Sequence, residues 1–193
     1  MEYKLMSSPF DSVSFEEMNK KQVVEYFKWF ITEKENRITQ LQEFINKTCG
    51  DDIKLDKTPQ SLNQLWEWFE GVMEWDELSE SDIKQRLEGR PVWTHEYILA
   101  ERWDETKQTK AIAVDIATYF GETLIRNNPE ISWDYRSKPI KLDGRNQPIL
   151  VGFHKDITVN PRSIVRVLVS KSQKEKCPTR LSKAYNTWVG QII

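Results

Sequence analysis

The chain has 193 residues, of which 38% are hydrophobic and 30% are charged, a balance typical of a globular protein with a well-solvated surface. Seven glycines and eight prolines are too few for a disordered or loop-dominated chain. No segment approaches the run of about eighteen apolar residues that a membrane-spanning helix needs, and the start has no signal-peptide pattern. We therefore expect a cytoplasmic protein that does not enter a membrane.

The net charge is only −2, but the acids and bases are unevenly distributed. Residues 51–105 contain fifteen acids and six bases, whereas residues 161–193 contain seven bases and one acid. This separation predicts complementary surfaces within the fold or between copies of the chain, so self-association is one expected form. An electrostatic field that selects a charged partner is the alternative.

The first predicted helix starts near residue 14. Ser14 and Glu17 have the spacing of a capping box, in which each side chain satisfies a free backbone N–H of the other residue. Apolar side chains then recur at three- and four-residue steps to about Asn46. This pattern predicts one long helix, or two helices with a kink at residues 32–36.

Three further helices are predicted before residue 106. Thr58 and Pro59 form a helix start, because the missing N–H of proline costs nothing in the first turn. Ser79 is in the position to cap a short helix that ends near Gly89, and residues 94–103 predict another helix. Together these helices form an expected amino-terminal layer.

Residues 111–126 predict a helix that is apolar on nearly every side. Its clearly polar side chains lie on one narrow stripe, formed by Asp115, Thr118, Glu122 and Arg126. A helix of this kind belongs in the interior of a domain. We expect the acidic stripe to be its one uncovered edge.

Small residues occur four apart on the same predicted helix, at Ala113, Ala117 and Gly121. Small side chains at this spacing let a neighbouring helix or strand approach closely. Glycine inside a helix costs up to about 1 kcal/mol relative to alanine. We therefore expect a tight packing contact at Gly121.

The carboxy-terminal part contains the predicted strands. Residues 131–135 alternate between apolar and polar side chains, and residues 140–153 predict a hairpin with a turn at 143–146. Asn160 caps a predicted helix, and residues 181–189 predict the last one. The strands would form a small antiparallel sheet.

These elements predict an α+β fold that is mainly helical, with a central buried helix and a small antiparallel sheet of two or three strands. The whole chain, residues 1–193, is expected to be a single domain. Its amino-terminal helical layer, about residues 14–105, would pack on the central helix, sheet and carboxy-terminal helices of residues 106–193.

An acidic segment with interleaved tryptophans is the first candidate binding site. Aromatic side chains supply contact area, and the acids would attract and select a protein partner with a basic surface. The proposed binding residues are Trp66, Trp68, Glu70, Glu74, Trp75, Asp76 and Glu77. In the alternative interpretation the tryptophans point inward and the acids are solvated faces of helices.

Asp115 and Glu122 form an alternative acidic site, because residues seven apart share one face of a helix. In a cleft, their shifted pKa values would suit general acid–base chemistry. A small hydrolase or transferase that uses this pair, with Asp134, Arg136 and a divalent cation, is the alternative function. The structural alternative is an ion pair between Glu122 and Arg126.

Other chemistry is not indicated. His95 and His154 lack the spacing of metal ligands, and no nucleotide-binding or catalytic motif is present, so neither a metal nor a cofactor is predicted. Cys49 and Cys177 are expected to be free thiols in a reducing cytosol. The basic carboxy-terminal cluster has no nucleic-acid-binding motif, so nucleic acid is not an expected partner.

The residues 115–122, followed by Trp133 and by residues 146–153, resemble a pattern in uncharacterised bacterial proteins, and residues 25–30 are similar to it as well. Some proteins of this kind accompany polymorphic toxins as immunity proteins. The resemblance implies a bacterial cytoplasmic protein that binds and occludes a toxin and is not an enzyme. It implies no catalytic residues.

Overall fold

The computed structural model describes residues 2–10, 12–139 and 144–192. These residues form seven α-helices and two separate antiparallel pairs of strands, β1 with β2 and β3 with β4. The predicted α+β, mainly helical fold is confirmed. In chain order the elements are α1 (Lys20–Cys49), α2 (Ser61–Val72), β1 (Trp75–Glu77), α3 (Glu80–Leu87), α4 (His95–Ala100), β2 (Trp103–Glu105), α5 (Lys107–Asn127), β3 (Ser132–Tyr135), β4 (Pro148–Val151), α6 (Pro161–Lys174) and α7 (Arg180–Val189).

The first helix, α1, is unbroken over 30 residues, so the kinked alternative is wrong. Its capping box is formed by Asn19 and Gln22, each bonding the backbone N–H of the other. The helix start predicted at Ser14 is therefore too early, although its hydroxyl does donate to Glu17 at 2.9 Å. Gly50 ends the helix with φ 81°, a conformation that glycine adopts without strain.

Local capping signals locate two later helix starts correctly. Ser79 caps α3 through a capping box with Asp82, and Asn160 caps α6, in which Pro161 is the first residue. The second helix begins at Ser61, slightly later than predicted.

None of the helices among the described residues is long and apolar enough to cross a bilayer.

The central helix, α5, is buried as predicted, and twelve of its 21 residues are buried in the fold. It packs against α1, α6 and α7. The main hydrophobic cluster contains side chains from Tyr3 to Tyr185, and Trp66, Tyr119 and Phe120 are among its largest fully buried members. Residues of the amino-terminal helices and of the carboxy-terminal part therefore share this core.

The strand predicted at residues 131–135 is β3, and it pairs with β4. Leu150 of β4 also forms an isolated bridge with Val159. The first strand of the predicted hairpin, at residues 140–142, lies outside the described residues. The observed partner of β4 is thus β3.

Trp133 of β3 lies directly on Gly121 of α5. A Cβ atom at Gly121 would overlap the six-membered ring of the indole. On its other side, the Trp133 ring meets Phe30 of α1 edge-on, with ring centroids 4.9 Å apart. The tight packing contact predicted at Gly121 is confirmed.

Residues 75–105 form a segment between α2 and α5 that we call the arm. Its base is the β1–β2 ribbon, in which two identical Trp-Asp-Glu tripeptides pair antiparallel. The paired residues are Trp75 with Glu105, Asp76 with Asp104, and Glu77 with Trp103. Between the strands, α3 packs on α4, which is shorter than the helix predicted at residues 94–103. The two strands were not predicted, because three residues are too few for a visible alternation.

Candidate functional site

The acidic tryptophan segment is divided between the core and the surface. Trp66 and Glu70 are buried, and Trp68 is only 7% exposed. The prediction that these three residues contact a partner is wrong, because they lie on the buried face of α2. The predicted binding residues that keep accessible surface are Glu74, Trp75, Asp76 and Glu77, at or next to β1.

Glu70 can be buried because its carboxylate accepts hydrogen bonds from three groups. It accepts hydrogen bonds from the Trp66 indole at 3.1 Å, from the Ser172 hydroxyl at 2.5 Å, and from the backbone N–H of Cys177 at 2.9 Å. Buried polar groups are normally satisfied in this way. Glu70 therefore ties α2 to the connection between α6 and α7.

Asp115 is completely buried beneath α1. Its carboxylate accepts two hydrogen bonds from Arg37, at 3.0 Å from Nε and 2.5 Å from Nη2, and one from the Tyr3 hydroxyl at 2.5 Å. Burial alone would lower the pKa of the Arg37 guanidinium, but the bonds and charge of Asp115 raise it. Burial, with Asp115 beside it, also raises the pKa of Tyr3, so the phenol remains a donor.

Glu122 is also buried, and its partners come from other elements. The Trp133 indole donates to it at 2.7 Å, and the Lys34 and Lys57 ammonium groups lie 2.8 and 3.5 Å away. The ion pair with Arg126 is therefore not the one observed, and Arg126 is exposed.

The acidic edge of α5 is thus covered, contrary to expectation. Asp115 and Glu122 neutralise cations of α1 and of the loop before α2, which explains their place in the core. In the described residues, neither Asp134 nor Arg136 forms a hydrogen bond or ion pair with these two carboxylates. A hydrolase or transferase would need an accessible acid, and this pair does not supply one.

Exposed apolar surface is concentrated in the arm. Trp93 is 75% exposed and Tyr97 is 72% exposed. Among the described residues, five of the eight large apolar side chains that are exposed belong to the arm, although it is a small part of the chain. These five are Val92, Trp93, Tyr97, Leu99 and Trp103. Concentrated apolar exposure of this kind marks interaction surfaces in folded proteins.

A groove of about 1420 Å³ separates the arm from α6. Its aromatic lining is Trp75, Trp93, Tyr97 and Trp103. Its charged lining consists of three acids, Glu101, Asp104 and Glu105, and six cations, Arg86, Arg90, Arg102, Arg166, Lys171 and Lys174. The groove exceeds the roughly 300–1,000 Å³ of small-molecule sites, so its size suits part of a macromolecule.

Most of these cations are free to meet a partner. Arg86 forms an ion pair with Asp104 at 2.9 Å. The other five are exposed and form no ion pair with any residue that the structure describes. With six cations and three acids, the lining of the groove carries a formal charge of +3 (6 − 3), in a chain whose net charge is −2.

Sequence reasoning missed this groove because its two walls are far apart in the chain. The arginines of the arm lie in a segment that is acidic as a whole, and those of α6 follow some sixty residues later. A local signal was present in the four-residue spacing of Trp93 and Tyr97, and in the three-residue spacing of Lys171 and Lys174. Only the fold brings these sets together.

Asp104 holds the base of the arm to α3 and α5. It pairs with Arg86 at 2.9 Å and with Lys110 at 2.6 Å. Burial alone would raise the pKa of Asp104, but the hydrogen bond from Lys110 and the charge of Arg86 lower it to about 2. Because the ordinary value is near 4, this carboxylate stabilises the fold above about pH 4, and the contribution is lost as the pH falls towards 2.

We expect the melting temperature of Asp104→Asn to fall less steeply between pH 4 and pH 2 than that of the unchanged chain. Lys110→Met removes the main cation and should flatten the same part of the curve. Melting curves recorded by circular dichroism across this range provide the measurement. Slopes that match the unchanged chain in both variants would contradict the role of this ion pair.

Within residues 2–10, 12–139 and 144–192, no group of three or more His, Cys, Asp or Glu side chains could hold a metal ion. Cys49 and Cys177 are free thiols.

Comparison of the chain with known protein families, characterised proteins and solved structures finds no match. The features that define the candidate site are the exposed aromatic residues of the arm and the unpaired cations of the groove.

Proposed function

We propose that this chain is a protein-binding protein, with the arm and the adjoining groove as its contact surface and no covalent chemistry of its own. The observation that carries this proposal is the exposure of Trp93 and Tyr97 beside a groove too large for most small molecules. Tryptophan, tyrosine and arginine are the residues that most often dominate the energy of protein interfaces. All three occur together here.

The arm has little core of its own, which supports the same proposal. Ile83 is its one buried hydrophobic residue, at 7% exposure. The β1–β2 ribbon joins the two ends of the arm, so the backbone of the arm is already ordered. The arm would therefore lose less conformational freedom on binding than a disordered segment would. The arm is thus preorganised for contact.

The specific form that we propose is neutralisation of a toxin in a bacterial cytoplasm, by occlusion of the toxin's active surface. It follows from the resemblance to immunity proteins, and a toxin gene next to the gene for this chain would support it. The exposed acids Glu74, Asp76 and Glu77 would meet a basic part of that partner. The groove presents the opposite charge.

We expect the double variant Trp93→Ala, Tyr97→Ala to bind the partner at least about 30-fold more weakly, which is the effect of losing a single interface hot spot of about 2 kcal/mol. Its melting temperature should hardly change, because both side chains are about three-quarters exposed. The measurement is affinity purification from the native host with the full chain as bait, followed by titration calorimetry with the recovered partner.

Leu5→Ala is the matched control, because Leu5 is 50% exposed but lies outside the arm. It should bind the partner normally. Glu77→Ala tests the acidic strand separately, because Glu77 is exposed and does not line the groove, and full retention of binding would remove that strand from the contact surface. Recovery of no specific partner, or normal binding by the Trp93 and Tyr97 variant, would contradict the proposal.

A further inference from the structure

We infer that the groove binds an acidic segment of the partner protein that also carries apolar side chains. This inference rests on the proposed function and adds the chemistry of the partner. It depends on three properties of the groove: unpaired cations on both walls, aromatic residues between them, and a small apolar cavity at one side.

The unpaired cations face the groove from two separate elements. Arg90 and Arg102 belong to the arm, whereas Arg166, Lys171 and Lys174 belong to α6. An acidic segment lying between the walls would meet positive charge on both sides. Such charges act mainly on the rate of association and on partner choice, and salt weakens them.

The cavity opens beside the groove, between β2, α5 and α6, and measures about 220 Å³. Ala113, Val114 and Val169 supply its apolar lining, and it shares Glu105 and Arg166 with the groove. An apolar cavity of about 150 Å³ already holds a benzene molecule. The cavity therefore has room for one leucine or phenylalanine side chain of the partner.

The charged rim of the cavity also fits an acidic segment. Arg166, which forms no ion pair with any described residue, lies there, so a carboxylate next to the inserted apolar side chain would meet a cation. Arg162 is held in place by a 2.9 Å hydrogen bond to Tyr26. Glu105 is the acid of this rim, and burial, followed by the neighbouring Asp104, raises its pKa, so that it takes a proton more readily when another carboxylate approaches.

Nucleic acid fits this lining less well. A polyanion needs a continuous positive track, whereas the lining of this groove contains three acids as well as six cations. The arm as a whole contains nine acids and four bases, which would repel a strand that extended past the groove. A short acidic polypeptide with apolar side chains matches the mixture of aromatic, cationic and apolar surface.

Display of short random peptides on phage, selected on the full chain, tests this inference. We expect enrichment of peptides that combine Asp or Glu with Leu or Phe. A synthetic copy of an enriched peptide should bind at least about 10-fold more weakly to Arg166→Glu, Lys171→Glu, because reversed charges now repel it. Replacing its leucine or phenylalanine by alanine should also weaken binding to the unchanged chain.

The control variants carry the same change of charge elsewhere. Lys21→Glu reverses an exposed lysine of α1 that does not line the groove, and two reversals on that helix, Lys20→Glu with Lys21→Glu, match the double variant. Both should bind the peptide normally. Loss of binding in these controls would show that net charge and not the groove is responsible, and would overturn the inference.

Other outcomes separate the inference from the proposed function. Enrichment of basic peptides whose binding requires Glu77 would overturn the inference that the groove binds an acidic segment. It would leave the proposal that the arm binds a protein in place. Displacement of the acidic peptide by single-stranded oligothymidylate would favour nucleic acid instead. Self-association abolished by Arg166→Glu, Lys171→Glu, with no peptide enriched, would identify a second copy as the occupant. No enriched peptide and no partner from the native host would overturn both proposals.

Discussion

Replacement of Arg37 by methionine should lower the free energy of unfolding by about 3–5 kcal/mol, the usual effect of leaving a buried charge without its counterion. Asp115 is completely inaccessible, and Arg37 supplies two of the three hydrogen bonds to it. In the variant, only one of these three hydrogen bonds to Asp115 would remain, the one from the Tyr3 hydroxyl. Urea unfolding followed by tryptophan fluorescence provides the measurement.

Arg86→Met is the matched control, because Arg86 also pairs with an aspartate but both side chains are about one-third exposed. Exposed pairs of this kind contribute about 0–1 kcal/mol. A loss for Arg37→Met as small as that for Arg86→Met would contradict the structural role of the buried pair. The double variant Arg37→Met, Asp115→Leu should recover much of the loss, since no buried charge then remains.

This pair also separates structure from function. Arg37 joins α1, α5 and the amino-terminal segment through its bonds to Asp115 and to the carbonyl of Lys4. If Asp115 served catalysis, the double variant would fold and lose its activity. If it serves the fold, the double variant should bind the partner normally once it is folded, because the arm and the groove do not include these residues.

The second large effect is expected at Gly121. Gly121→Ala should lower the free energy of unfolding by about 1–3 kcal/mol, the range found for overpacked cores, because the new Cβ overlaps the Trp133 ring. Gly121→Leu should destabilise more strongly. Trp133 cannot easily move away, since its indole N–H bonds Glu122 at 2.7 Å and its ring contacts Phe30.

Gly71 offers a matched control within another helix. It lies in α2, it is exposed, and a Cβ there would meet nothing within 4 Å. Gly71→Ala should therefore raise the free energy of unfolding by up to about 1 kcal/mol, through helix propensity alone. Chemical denaturation of the two alanine variants measures the difference directly. An unchanged melting temperature for Gly121→Leu would contradict the packing contact.

The helices and the buried position of α5 could be predicted from the sequence, because their signals are local. The apolar steps of α1, the caps at Ser79 and Asn160, and the apolar sides of residues 111–126 are each contained within a few turns of chain. Hydrogen bonds and side-chain contacts over three or four residues determine such elements. Predicted boundaries failed where two caps compete, as at Ser14 and Asn19.

The candidate site depended on contacts that are distant in sequence. Trp66 and Trp93 are both next to polar residues, yet Trp66 packs inside and Trp93 is exposed, because α2 lies on the core and the arm does not. Likewise, the acidic stripe on α5 has the same residue spacing whether its carboxylates face water or pair with a cation. The cation for Asp115 is Arg37, 78 residues earlier.

The sequence by itself therefore determined the helical class, the central buried helix and the close contact at Gly121, since periodicity and residue size are local properties. The tertiary structure alone decided which acids are paired, which tryptophans are exposed, and where unpaired cations collect. Burial and electrostatic pairing are properties of neighbours in space. Here those neighbours come from segments as distant as the arm and α6, so no local pattern contains them.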